Sequence, residues 1–240
     1  MAKEKGADRP ESAPNSNIII VQFRDTPEEP IGKVSLRVLS KGKSNAARSR
    51  WYTEELAQEK IYAVLDEFAQ AFPDGLPVFV ACHWASKKPV ASWKGLNQDN
   101  WWTEPDNLRL LARQILVGGN LAIKLGSASG HLVTINLDHD DWVEPFLKTN
   151  PLFRDTLRTS EPRGGQFWFY ATDDYPHEVR KLEINGNTEN AGEFRGGKCI
   201  SVFWGVHKNG DAYTRVNDVP PIKFAFGDIQ WPTGWKFILN

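Results

Sequence analysis

Apolar residues recur along this chain with two different periods. NIIIVQF (17–23) and KVSLRVL (33–39) predict strands, the second by its clean alternation of apolar and polar positions. TEELAQEKIYAVLDEFAQAF (53–72) switches to helical spacing, with Leu56, Ile61, Leu65, Phe68 and Phe72 along one stripe. Thr53 is its expected N-cap, acids fill the first turn, and Pro73, Asp74 and Gly75 stop it. PVFVACHW (77–84) predicts a strand, SKKPVASWKGLNQDNWW a turn-rich connection, and EPDNLRLLARQILV (104–117) a helix with Pro105 in its first turn and Gly118 and Gly119 at its end. LAIKLG (121–126) and HLVTINLD (131–138) are strands joined by SASG, and WVEPFLKT is a short helix. LRTSE, QFWFYA, KLEIN, GEFR, KCISVFW and DAYTRV then predict short strands between Gly, Asn and Asp turns. A helix-flanked first half and a strand-rich second half predict an α+β fold whose sheet is mixed or mostly antiparallel.

Composition narrows the classes. With 240 residues, 40% hydrophobic and 25% charged, the chain has the make-up of a globular protein that buries a real core. No run of eighteen apolar residues exists. The polar start predicts a disordered tail over 1–16, neither a secretory signal nor a transit peptide. Cys82 and Cys199 lie far apart without a CxxC pattern, which predicts two reduced thiols in a cytoplasmic protein. A net charge of -1 argues against wholesale polyanion binding, so nucleic-acid contact would have to be local. Residues 32–50 offer one such patch: Lys33, Arg37, Lys41, Lys43, Arg48 and Arg50 with no acid among them, either a solvated face or an edge that tracks phosphates.

Three segments carry candidate chemistry. In HLVTINLD the side chains of Asn136 and Asp138 fall on one face of the strand, with Leu137 on the other. Two oxygen donors side by side suit Mg²⁺ or Mn²⁺. An amide oxygen carries no net charge, however, and a strand end with a turn built from Asp140 and Asp141 explains the same residues. In TSEPRGGQFWFYA (159–171), Arg163 and a Gly pair precede an aromatic strand; glycines let a ligand approach the backbone, and arginine can grip phosphate with two bonds. In AGEFRGGKCISVFWGVHKNGDAY (191–213), Glu193 and Arg195 sit at strand spacing, with Lys198 and His207 further on. Glu193 is a candidate third metal ligand, and Arg195, Lys198 and His207 are candidate polyphosphate contacts; solvated hairpins are the alternative for each.

Taken in order, KKPVASWKG (87–95), AIKLGSASGHLVTINLD, EPRGGQFWF and GEFRGGKCISVFWGVHKNG resemble the bifunctional DNA primase/polymerase (prim-pol) domain of plasmids and phages, a branch of the archaeo-eukaryotic primase superfamily. The resemblance covers residues 78 to about 216. It implies an RRM-like catalytic lobe over 77–240 with a smaller N-terminal part over 17–76. The implied activity is template-directed nucleotidyl transfer that makes or extends primers. Two divalent ions, Mg²⁺ or Mn²⁺, would serve it, with a DNA template and nucleoside triphosphates as partners, and a helicase domain or protein as a further one. Carried onto this sequence, the family's catalytic and metal acids fall on Asn136, Asp138 and Glu193. Its nucleotide contacts fall on Arg163, Gly165, Arg195 and His207, with Lys198 added by charge alone.

Two departures stand out. Asn136 occupies the place of the first metal Asp, and Phe167 that of the nucleotide-binding His. Shifting the acidic pair to Asp138 and Asp140 restores two carboxylates but runs past the expected strand end. The departures leave a second reading open, a non-catalytic nucleic-acid-binding module on a degenerate primase fold, held to its ligand by phosphate contact and base stacking. Ten tryptophans prompt a third, a carbohydrate-binding domain, against the expectation that most of them are core.

Overall fold

A computed structural model describes residues 18–23, 34–39, 54–101, 105–160 and 163–238. The expected tail over 1–16, the N-cap Thr53, and Lys33, Lys41, Lys43, Arg48 and Arg50 lie outside the described residues. Two strands near the start, β1 (Ile18–Phe23) and β2 (Val34–Leu39), form an antiparallel hairpin in which Arg37 pairs with Ile20.

Helix α1 (Glu54–Ala71) buries Ile61, Val64, Phe68 and Ala71, and Phe72 just beyond them, at the three- and four-residue spacing of a single stripe. Leu65, expected in that stripe, is only partly buried. The stripe packs on β3 (Phe79–Cys82) and on helix α2 (Pro105–Val117), whose first residue is the proline that needs no intrahelical N–H bond. Strands β4 (Asn120–Lys124) and β5 (Leu132–Leu137) follow, linked by a 3₁₀ turn at Ser127–Ser129.

Helix α3 (Asp140–Thr149) starts earlier than its apolar pattern predicts. Asp140 and Asp141 belong to its first turn and not to a free turn, because the His139 ring caps the helix by accepting from the Asp141 N–H at 3.3 Å. Next come β6 (Arg158–Ser160), β7 (Gly165–Ala171), β8 (Val179–Ile184), β9 (Glu193–Arg195), β10 (Ile200–Val206) and β11 (Ala212–Arg215). Two further strands, β12 (Ile222–Phe224) and β13 (Trp235–Phe237), have no strand signal in the sequence. Each is three residues long and borrows its partner, β7 or β8, from a strand that already has a strong pattern.

Eleven strands form one sheet in the order β13-β8-β9-β5-β7-β6-β11-β10-β4-β3, with β12 beside β7. All pairings are antiparallel except β12 with β7, so the α+β expectation with a mixed, mostly antiparallel sheet holds. β5 lies between β7 and β9, and all six of its residues are buried. Its alternate side chains feed two cores on opposite faces. Leu132 joins Trp168, Phe68, Phe79 and Ile123, while Val133, Ile135 and Leu137 join Phe146, Phe153, Phe167 and Phe194. The strand ends at Leu137, one residue short of expectation, so Asp138 stands just past the ladder.

Candidate active site: a polar row on the central strands

The face of β5 that carries Leu132 also carries Thr134 and Asn136, and register fixes what lies beside them. Asn136 pairs with Glu193 of β9 on one side and Gln166 of β7 on the other. Thr134 pairs with Arg195 and Trp168. A polar row therefore crosses three adjacent strands in the middle of an otherwise apolar sheet. Two glycines close its end. Gly192, at φ 123°, approaches β5 so tightly that a Cβ there would overlap the Asn136 carbonyl oxygen. Gly164, at φ 76°, does the same against the Leu137 carbonyl from the β7 side.

Asn136 is 2% exposed and donates from Nδ2 to Asp138 Oδ1 at 2.7 Å. Its own Oδ1 is buried with no hydrogen-bond partner. Arg195, 8% exposed, converges on Glu193 Oε1 through Nε at 2.6 Å and Nη2 at 2.5 Å. Its Nη1 donates to Ser201 Oγ at 2.6 Å, and Gln166 Nε2 donates to the same hydroxyl. Ser201 belongs to β10, whose ladder partners are β4 and β11, so the long sheet curls until β10 covers the polar row. Thr134 Oγ1 and Gln166 Oε1, like Asn136 Oδ1, are buried acceptors without a donor. Unmet acceptors at such depth each cost on the order of 1–3 kcal/mol.

Asp138 and Glu193 both line a cleft of about 510 Å³, together with Lys181, Glu189, Gly192 and Ile238. Asn136 sits beneath its floor, held to Asp138, and Arg195 backs Glu193 from the buried side. The charged groups of the lining are Asp138, Glu189, Glu193 and Lys181, with Arg195 paired to Glu193. Among the described residues no group of three His, Cys, Asp or Glu side chains is close enough to hold an ion. Asp138 and Glu193 share the cleft, and Asn136, bonded to Asp138, adds a buried amide oxygen without a partner. An all-oxygen set of this kind fits one hard divalent cation that keeps several waters, and it lacks the charge for a second.

The other expected contacts are dispersed. Arg163 is exposed in the turn before β7, and Gly165 is buried at the start of that strand against Leu137. Lys198 is exposed at φ 54° in the turn between β9 and β10. His207 caps the β10–β11 hairpin, its Nδ1 bonded to Asn209 Oδ1 at 2.8 Å. None of these four lines the cleft. Phe167 faces away from Asn136, packed against Phe146 and Phe153 in the opposite core, and Gln166 is the β7 residue that faces the site. Burial pushes the Cys199 thiol, next to the Arg195 cluster, up to about 11, despite the opposing pull of Arg195 and a Gly197 backbone hydrogen bond, and so favours the protonated thiol at neutral pH.

Gln166, Ser201, Thr134 and Glu189 are the members that sequence reasoning missed. Gln166 was one alternation away from the Gly pair and could have been found by extending the β5 register into β7. Ser201 could not, since it arrives through the curl of the sheet. The tryptophans form no exposed sugar platform among the described residues. Trp101, Trp168 and Trp235 are buried, Trp93, Trp142, Trp204 and Trp231 pack partly buried on the two cores, and Trp84 is exposed. Neither protein-family models nor curated proteins match this sequence.

Proposed function

We propose that the chain is a primase-polymerase domain that carries out template-directed nucleotidyl transfer on DNA, with Asp138 and Glu193 as its acidic pair. The observation that carries this reading is that the two carboxylates, one just past the end of β5 and one on β9, line one cleft, with Asn136 bonded to the first and in register with the second. In this reading β5, β7 and β9 form the catalytic lobe, and β1, β2 and α1 belong to the smaller N-terminal part. Asp138 and Glu193 would hold Mg²⁺ or Mn²⁺ with Asn136 Oδ1 as a neutral third donor. A divalent ion there supplies charge to offset that developing on phosphate oxygens. Asn136 sets the position of Asp138, and Arg195 turns Glu193 so that Oε2 is the oxygen outside its grip. Template DNA, nucleoside triphosphates and a helicase are the partners this assignment brings with it.

The test is incorporation of a labelled nucleotide on a primed DNA template with Mn²⁺ or Mg²⁺. Asn136→Asp restores a full charge beside the ion and is expected to raise the rate at least tenfold, while Glu193→Ala abolishes incorporation. Silence from both the parent chain and Asn136→Asp overturns the assignment.

One set of observations favours a second reading, a nucleic-acid-binding module without catalysis. Asn136 lacks the charge of an acid, Arg195 already neutralises Glu193, and Phe167 is locked in a core. Salt-dependent DNA binding with no metal-stimulated synthesis would select it.

A further inference from the structure

A second hollow, of about 250 Å³, opens on the other side of the β5 end, between α3, β6 and β7. Its walls are Val143, Phe167 and Val216, with Arg158, Asp140 and Glu144 as the charged groups. Three features set it apart from an incidental dimple. Arg158 lays its guanidinium over the Phe167 ring at 5.8 Å, yet its Nε is buried with no hydrogen-bond partner. Val216 is 48% exposed at the rim, one of four large apolar side chains so exposed among the described residues. Gly164 and Gly165 leave the adjoining wall without side chains.

The charges around the hollow cancel. Glu144 pairs with Arg154, and Asp140, which accepts from the Gly164 N–H at 2.7 Å, offsets Arg158. A free anion therefore gains little from entering. The unmet needs are local instead: one N–H that lacks an acceptor, a carboxylate with capacity to accept, and apolar walls. A volume just below the roughly 300–1,000 Å³ of pockets for drug-sized ligands suits one ring system and excludes a whole nucleotide. Purines meet all of these demands, since they set the N7 acceptor, with O6 in guanine, near an amino or ring N–H donor on a flat apolar body.

We propose that this hollow is a purine-base pocket, in which Arg158 Nε–H donates to the ring acceptor while Phe167, Val143 and Val216 enclose the ring. The pocket needs neither a metal nor catalysis, so it stands or falls apart from the nucleotidyl-transfer assignment.

Guanosine is titrated into the full chain in EDTA while the Arg158 Nε–Hε resonance is followed by ¹⁵N NMR. A saturable shift of that resonance is expected, abolished by Val216→Trp; in Arg158→Met, which lacks it, binding followed at the Gly164 and Gly165 amides of the same hollow should weaken at least tenfold. Val216→Trp fills the rim at an exposed position and so keeps the test open if Arg158→Met misfolds. No saturable shift overturns the proposal, as does undiminished binding in Val216→Trp. Equal saturation by inorganic phosphate also overturns it, because the site would then be an anion site. Single-stranded oligonucleotides with one guanine or one abasic position separate the sources of the base. Tighter binding of the guanine oligonucleotide than of guanosine means a base read from a strand, and equal binding means a free nucleoside; either sustains the pocket.

Discussion

Replacing Asn136 by Asp exchanges a donating NH₂ for an anionic oxygen at a point 2.7 Å from Asp138 Oδ1. Left ionised, two carboxylate oxygens at 2.7 Å repel by about 6 kcal/mol at an effective dielectric constant near 20. The folded variant has a cheaper response, which is to keep one proton on the pair. Holding that proton at pH 7 against an unperturbed Asp value near 3.9 costs about 4 kcal/mol, so this smaller figure sets the penalty. In a chain of 240 residues it corresponds to a fall in Tm of roughly 8–16 °C. The sign follows from linkage. The pair's folded pKa is raised above its unfolded value, so the folded variant is most stable at acid pH and loses stability as pH rises through that raised value. Going from pH 7 to pH 5 should therefore return about 3 kcal/mol to the variant relative to the parent chain. Excess Mn²⁺ at pH 7 should raise the variant's Tm more than the parent's, since the ion takes the proton's place. Thermal melts by circular dichroism at pH 5 and pH 7, in EDTA and in Mn²⁺, read all of these effects. An Asn136→Asp protein that melts within a degree of its parent at pH 7 in EDTA would refute the adjacency of residues 136 and 138 on which the reasoning rests.

Arg195→Met leaves Glu193 partly buried without its counter-ion and removes one of the two donors to Ser201 Oγ, and should cost about 3–5 kcal/mol in urea denaturation. Ser201→Ala, which breaks the hydrogen bonds from Arg195 and Gln166 but keeps the ion pair, should cost less, about 1–3 kcal/mol; the reverse ranking would mean that the ion pair contributes little. Burial pushes the Cys82 thiol up to about 12 and the Cys199 thiol up to about 11, so thiolate is scarce at neutral pH. Alkylation of the native protein should stay slow up to about pH 9 and become complete only in denaturant; rapid labelling at pH 8 would contradict the burial.

How much of this was legible in the sequence depends on how local each signal was. β5 could be read residue by residue, because an apolar run ending in Asn-Leu-Asp is a property of consecutive positions. The same holds for α1, whose stripe from Ile61 to Phe72 carries its own period. The start of α3 was misjudged because the cap comes from His139, a residue with a weaker capping preference than the aspartates that follow it. β12 and β13 escaped notice because strands of three residues show no period and exist only through β7 and β8. At the site, Asn136, Asp138 and Glu193 were legible as a pattern of oxygen donors. The partners of Arg195 were not, since Ser201 reaches it only after the sheet curls, and a phosphate contact was the expectation in its place.

The cleft draws its walls from Asp138, Lys181, Glu193 and Ile238, and the Ile238 N–H closes it by donating to the Lys181 carbonyl at 3.0 Å. Pairings between elements so far apart in the chain form late, since each must first overcome the entropy of closing a long loop. During synthesis, then, the cavity remains unfinished until the ribosome has released the segment around Ile238, and a nascent chain that already holds both acids has no walled cleft in which to use them.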